Sequence, residues 1–186
     1  MAQQVNRDDY FRAAMEVLAA RGAGELKIGV LCRSLGVTTG SFYHHFGSLR
    51  TFVDLLLAHW EHEQTETYAE LAAAVEQPEL AVALLKESAI GLPHRAEAAI
   101  RAWSHLDPHV AAAQARVDVK RRAVARDTLR RIVEDANRAD RLAQVALMLL
   151  IGFQLGGNPD NVAEFRALMD EFELLIYASI EDAARS

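Results

Sequence analysis

The sequence predicts an all-α fold, and three observations carry that prediction. Apolar residues recur at spacings of three and four along nearly the whole chain, the mark of amphipathic helices. The apolar–polar alternation of a half-buried strand is absent. Pro is scarce, at 4 in 186 residues, and each Pro falls where a helix would begin or end. About nine helices are expected. Three short ones form an N-terminal domain over 1–47, and a long fourth helix joins it to a C-terminal helical bundle over 48–186.

The first helix is expected from Arg7 to Arg21, with Phe11, Ala14, Met15 and Leu18 on one face and Gly22 and Gly24 to stop it. The second runs from Lys27 to Leu35, where Ile28, Leu31, Cys32 and Leu35 share a face and Gly36 ends it. Thr38 or Thr39 caps the third, because a Thr oxygen accepts from a free first-turn N–H. That helix ends near His45, at Gly47, and Ser48 opens the fourth, expected to reach Val75. Its stripe of Phe52, Leu56, His59 and Trp60 turns polar at Glu63, as in a helix that bridges two bodies. The fifth starts at Pro78 and ends near Gly91–Pro93, and the sixth spans His94–Leu106. Asp107–Pro108 restarts the chain into a seventh, expected to reach Ala136. The eighth is expected over Arg138–Leu155, stopped at Gly156, and the ninth over Val162–Ala184.

Composition limits the functions available. No run approaches the roughly 18 apolar residues of a membrane span, and the opening MAQQVNRDDYF lacks the basic-then-apolar order of a signal peptide. A single Cys allows no internal disulfide. Together these predict a cytoplasmic protein without a membrane partner. The net charge of −6 hides an asymmetry: residues 1–50 hold six Lys/Arg against four acids, and the rest hold 14 against 22. A mildly basic head on an acidic body points one end toward phosphates.

The stretch Gly36–Phe46, GVTTGSFYHHF, is the most informative in the chain. A helix, a tight turn at Gly36–Val37 and a second short helix make a helix-turn-helix. The second helix offers Thr38, Thr39, Gly40, Ser41, Tyr43, His44 and His45 outward, while Phe42 and Phe46 anchor inward. Gly40 lets a DNA backbone come close. Thr39 and His44 reach toward base edges, and the hydroxyls of Ser41 and Tyr43 suit phosphate oxygens. Lys27 and Arg50 add charge for phosphates.

At these residues the chain resembles the TetR family of bacterial transcriptional regulators. The matching features are the helix Phe11–Leu18 followed by Gly22, the segment LCRSLGV at Leu31–Val37, TTGSFYHHF at Thr38–Phe46, and SLRTFVDLLL at Ser48–Leu57. The resemblance implies an all-α homodimer with an N-terminal head for double-stranded operator DNA and a C-terminal domain for a small effector. Two positions depart from the family pattern. Leu49 stands where the family usually has a phosphate-binding Lys, and the following Arg50 is turned by about 100° on a helix. Leu26 and Lys27 stand where Thr or Ser usually opens the second helix. The segment Ile100–Val110, with Asp118 and Arg121, is similar to one branch of the family.

Other candidates have plainer readings. Adjacent His44 and His45 point about 100° apart and do not share a metal ion, and His59, His62 and Glu63 read as a solvated helix face. Cys32, on an apolar face, reads as a small buried hydrophobe. Arg121 falls on an apolar stripe three residues after Asp118, and reads either as a structural ion pair or as a group for an effector. No cofactor, no metal site and no nucleophile with its base are discernible, so an enzyme is not expected. The pocket is expected around His59, Trp60, Trp103 and Phe153, the large side chains near the presumed bundle centre. Leu142, Val145, Leu149 and Phe153 on the eighth helix, with Phe165, Leu168, Met169, Phe172, Leu175 and Ile176 on the ninth, are expected to form a four-helix homodimer interface. The function so predicted is a ligand-responsive repressor that releases a palindromic operator. The alternative is a helical interaction module or small-molecule-binding protein with weak or lost DNA binding.

Overall fold

The computed structural model describes residues 5–156 and 158–184, and the side chains of these apart from 66–68, 71, 179 and 181–184. Residues 1–4 of the opening stretch weighed as a signal peptide lie outside the described residues. Among the described residues there are nine α-helices and one 3-10 turn, and no strand. The order is α1 (Arg7–Arg21), the 3-10 turn (Ala23–Glu25), α2 (Ile28–Leu35), α3 (Thr39–Phe46), α4 (Leu49–Ala74), α5 (Pro78–Ile90), α6 (His94–Ser104), α7 (Pro108–Leu129), α8 (Ala136–Gly156) and α9 (Val162–Ala184).

The chain divides into two compact units, Met1–His62 with Pro93–Gln114, and Glu63–Leu92 with Ala115–Ser186. The Gly47–Ser48 junction therefore lies inside the first unit, and α4 and α7 each run from one unit into the other.

In the first unit, Asn6 opens α1 with a capping box: its side chain accepts from the Asp9 N–H, and the Asp9 carboxylate accepts from the Asn6 N–H. Tyr10, Phe11, Ala14 and Leu18 then bury one face of α1, against which α2 and α6 pack. The inner face of α6 combines Ala96 and Ile100 with buried His94, Glu97 and Arg101. Ser48 caps α4 by accepting from the Thr51 N–H at 3.0 Å.

In the second unit, Val82, Ile90, Leu129, Val133, Ala139, Ala143, Leu150, Phe153, Phe165, Met169, Phe172 and Ile176 belong to one apolar core. Ion pairs fasten α5 to α9: Lys86 reaches Asp170 at 2.9 Å and Glu173 at 2.6 Å, and Arg166 makes two bonds to Glu87.

α7 ends at Leu129, well short of the expected Ala136, and α8 begins at Ala136 rather than Arg138. No Gly or Pro marks the break, which has a tertiary cause. Leu129 and Val133 both turn into the core, and the Arg131 guanidinium donates to the carbonyls of Ala72, Val75 and Glu76 at 3.3, 2.6 and 2.7 Å. It thereby satisfies acceptors left over at the end of α4. Asp135 then opens α8 by accepting from the Asn137 N–H.

By length and composition alone, α8 is long and apolar enough to cross a membrane, although no unbroken apolar run of that length marks it in the sequence. A core helix meets the same description, and its Ala139, Ala143, Leu150 and Phe153 are buried in the core of the second unit.

Candidate nucleic-acid interface and an internal cavity

The turn between α2 and α3 is built from backbone bonds that only a left-handed residue permits. Gly36 adopts φ 66° and ψ 29°. Its N–H donates to the Arg33 carbonyl at 3.3 Å, and the Val37 N–H donates to that of Cys32 at 3.0 Å. This is the Schellman pattern, which ends α2 sharply and satisfies two of its free carbonyls. Thr38, extended at φ −81°, then caps α3 by accepting from the Ser41 N–H.

Below α3 lies an aromatic cluster. Phe42 is fully buried and Phe46 nearly so. The Phe42 ring sits 5.7 Å from Tyr10 and 5.3 Å from Phe52, and Phe46 sits 5.2 and 4.9 Å from the same two rings. Three of these pairs, Tyr10–Phe42, Tyr10–Phe46 and Phe46–Phe52, meet edge to face, a geometry that adds about 0.5–1.5 kcal/mol each beyond area burial. α1 supplies two further fastenings. The Tyr10 hydroxyl donates to Ser41 Oγ at 3.1 Å, and Arg7 donates to the His45 carbonyl at 2.8 Å while its guanidinium lies over the Phe46 ring. Nothing local in the sequence marks these roles of Tyr10 and Arg7, whose partners lie 31 and 38 residues away.

The opposite side of α3 faces outward. Thr38, Thr39, Gly40, Tyr43 and His44 are exposed, Tyr43 by 53%. Ser41 is half-buried and held by Tyr10, and half-buried His45 rests 5.6 Å from the Tyr10 ring. Lys27 is exposed and pairs with Glu25 at 2.8 Å, and the Lys27 ammonium bonded to it holds the Glu25 carboxyl below its ordinary pKa. Arg50 is exposed and pairs with Asp54 at 3.3 Å, one turn along α4, while Leu49 is half-buried. Cys32 is buried beneath this surface, and burial pushes its thiol pKa up, as fits an inert core residue.

Residues 11–53, which hold the whole of this helix-turn-helix, match the sequence profile of the bacterial regulatory proteins of the tetR family. That segment is similar to the DNA-binding domain of the tetR-family regulators. Solved structures carry the same fold along nearly the full length of the chain. A transcriptional regulator from Rhodococcus sp. Rha1 is 16% identical, with 96% of this chain and 97% of that one covered at a TM-score of 0.74. A TetR transcription regulator from Haloarcula marismortui is 14% identical over 90% of this chain and 95% of its own, at 0.69. A transcriptional regulator from Saccharomonospora viridis in complex with choline is 19% identical over 89% and 94%, at 0.65. A sequence comparison with curated proteins gave no match.

The second unit contains a pocket of about 130 Å³. Its walls come from α4, α5, α7, α8 and α9 and are mostly apolar, with Val82, Ala143, Ala146, Leu150, Met169 and Phe172 among them. Gln64, Thr65, Lys86, Arg121, Thr128 and Glu173 are the main polar contributors. Arg121 donates to Gln64 Oε1 at 2.9 Å. Its place in the cavity wall was open in the sequence reading, and the other polar residues were not identified.

None of the four side chains expected to form the pocket lines this cavity. His59 stacks on Phe11 at 4.8 Å, Trp60 is buried in the first unit, and half-buried Trp103 belongs to that unit as well. Phe153 stacks on Phe165 at 4.6 Å in the core of the second. The physical reason is packing: these four large side chains fill space in the cores around them, and Phe172 is the one aromatic among the described residues lining the hollow.

The expected interface residues also divide. Phe153, Phe165, Met169, Phe172 and Ile176 are in the chain's own core, and Leu142 and Leu149 are half-buried against it. Val145, Leu168 and Leu175 are exposed. Each helix carries two apolar stripes, and the reading mixed them. The outer one on α8 is Val145, Met148, Gly152 and Leu155, and on α9 it includes Leu168 and Leu175. Among the described residues no group of three or more His, Cys, Asp or Glu is arranged to hold a metal ion.

Proposed function

We propose that the protein is a ligand-responsive transcriptional repressor that binds a palindromic operator as a homodimer. The observation that carries this reading is the two-sided α3: Phe42 and Phe46 lock one side into the aromatic cluster, and Thr39, Gly40, Tyr43 and His44 stand free on the other. A helix so fixed can enter a major groove without first ordering itself. In this reading Thr39, Gly40 and His44 face base edges. Thr38, Ser41, Tyr43, Lys27 and Arg50 face phosphates, the last two after giving up weak exposed ion pairs. Residues 1–47 then act as the DNA-reading domain and 48–186 as the domain that binds effector and partner.

The outer stripes of α8 and α9 support dimerisation. Met148 and Leu175 are each 61% exposed and Leu155 is 54% exposed, and exposed large apolar side chains mark interfaces where they gather in a patch. One short helix makes few contacts, and two on a twofold axis read two half-sites about 34 Å apart. The cavity of the second unit supports effector binding, as does the choline complex of the Saccharomonospora viridis regulator.

The test is a gel shift against DNA upstream of the chain's own reading frame, joined to sedimentation. A shift that weakens with salt and disappears in Thr39→Ala/Tyr43→Phe, from a dimer at micromolar concentration, is the expected outcome. No selective shift on any fragment of a genomic selection would instead favour a helical interaction module, for which Leu49 in place of a phosphate-binding Lys is the supporting observation. A monomer would sink the palindrome.

A further inference from the structure

The Ser41 hydroxyl on α3 is used differently from those of Ser34 on α2 and Ser104 on α6. Ser34 and Ser104 turn back along their helices and donate to the carbonyls of Leu31 and Arg101, at 2.9 and 2.7 Å. That is a common resting place for a Ser hydrogen in a helix. Ser41 does not turn back. Its Oγ accepts from the Tyr10 hydroxyl at 3.1 Å, and among the described residues it donates to none.

Tyr10 sets the direction of that bond. Its side chain is fully buried, and its ring is held edge-on against Phe42 and Phe46, with centroids 5.7 and 5.2 Å away. A buried phenol needs an acceptor for its hydrogen, and Ser41 Oγ is that acceptor. A Ser hydroxyl has two lone pairs and one hydrogen. With a lone pair engaged on the α1 side, the hydrogen is left for an acceptor outside the chain. Ser41 is only half-buried, and its neighbours Thr39, Gly40 and His44 are exposed, so such an acceptor can reach it. A hydroxyl that accepts from one group also donates more strongly to the next.

We propose that Tyr10 is a positioning residue for DNA binding, an inference that rests on the operator reading above. The Tyr10 O–H donates to Ser41 Oγ, and the Ser41 O–H, turned outward, donates to a phosphate oxygen of the operator. A buried side chain of α1 that touches no DNA thus governs the strength of a contact made by α3. Without the Tyr10 hydroxyl, the Ser41 hydrogen folds back onto the Thr38 carbonyl, in the manner of Ser34 and Ser104.

The experiment uses the full chain and an operator fragment recovered by genomic selection, with affinity read by fluorescence anisotropy. Tyr10→Phe, Ser41→Ala and the double variant are compared with the unaltered chain. Each single change is expected to weaken binding roughly tenfold, the worth of one hydrogen bond to a charged group. The double variant should bind no more weakly than Ser41→Ala. A purely structural Tyr10 would instead give losses that multiply, because a loosened α3 harms every contact alike. Operators carrying one neutral methylphosphonate in place of each phosphate in turn read the contact itself. One position per half-site should weaken the unaltered chain more than it weakens either single variant. Multiplying losses overturn the proposal, as does full affinity in Tyr10→Phe or equal sensitivity of all three proteins at every phosphate. If Tyr10→Phe does not fold, the Tyr10 hydroxyl proton of the unaltered chain decides by NMR. It should move downfield when the operator is added, and an unmoved signal overturns the proposal. A chain that binds no DNA sinks the operator reading and this inference with it. A chain that binds its operator but fails the comparison at Tyr10 sinks this inference alone.

Discussion

The two units solve the packing problem in opposite ways. In the first, Tyr10, Phe42, Phe46 and Phe52 meet ring against ring, with centroids 4.9–5.7 Å apart. In the second, comparably apolar side chains line a half-open hollow of about 130 Å³. An unfilled space forfeits dispersion contacts and costs stability, so a hollow core is kept at a price where a packed one would be more stable. Under the function proposed above, the first unit, the head, acts through its outer surface and needs a rigid base, whereas the second unit, the body, acts through its interior and needs room.

Equal enlargements at two alanines test that contrast most strongly. Ala14 on α1 is fully buried in the head, and Ala146 on α8 lines the hollow. Both are helical, so propensity cancels. Ala14→Leu should cost about 1–3 kcal/mol by overpacking. Ala146→Leu should be neutral or stabilise by about 0.5–2 kcal/mol by filling space. Urea denaturation midpoints read both, and a similar loss at the two sites would show that the body is as tightly packed as the head.

The same contrast explains what was legible in the sequence. Each junction of the head carries a local signal, Gly22, Gly36, Thr38, Gly47 and Ser48, and α1–α3 lie where those residues put them. Outward Thr, Gly, Tyr and His on a short helix are conspicuous because a core helix would not carry them. The fastening of Tyr10 to Ser41 was hidden, since it joins residues 31 apart. A hollow leaves no mark at all: Ala143, Ala146 and Leu150 look like ordinary core positions, because what distinguishes them is a neighbour that is missing. The early end of α7 was illegible for a related reason, since Arg131 and Val133 break the helix through partners far along the chain.

Gly40 separates the demands of fold and function within the head. Its φ is not positive, and a Cβ there would meet only Thr38 Oγ1, at an ordinary 3.6 Å. The fold therefore does not require glycine, which lowers helix stability by about 0.5–1 kcal/mol relative to alanine. Gly40→Ala should raise the melting temperature slightly and weaken operator binding at least tenfold in a gel shift, because the added methyl stands between α3 and the DNA. A stabilised variant with unchanged affinity would move the close approach elsewhere on α3.

The smallest expected effect concerns pH, and it follows from where the ion pairs lie. In the head, Arg12 with Asp9, Lys27 with Glu25 and Arg50 with Asp54 are local pairs. The body has local pairs too, but Lys86 with Asp170 and Glu173, and Arg166 with Glu87, join separate helices. The hydrogen bond from Arg166, more than its charge, holds the Glu87 carboxyl below the ordinary 4.5. Folding then takes up fewer protons at Glu87 than the unfolded chain does, so the contribution is complete above about pH 4.5 and fades as pH falls through the lower folded value. Exposure and salt screening keep it small. Both tryptophans, Trp60 and Trp103, belong to the first unit, so indole fluorescence follows the head while circular dichroism follows the whole chain. On acidification below pH 4.5, helix loss by dichroism should begin before the fluorescence change. Glu87→Gln should narrow that gap by removing the proton-linked part of the α5–α9 fastening, and coincident transitions in the unaltered chain would mean that the body's long-range pairs give it no acid sensitivity beyond that of the head.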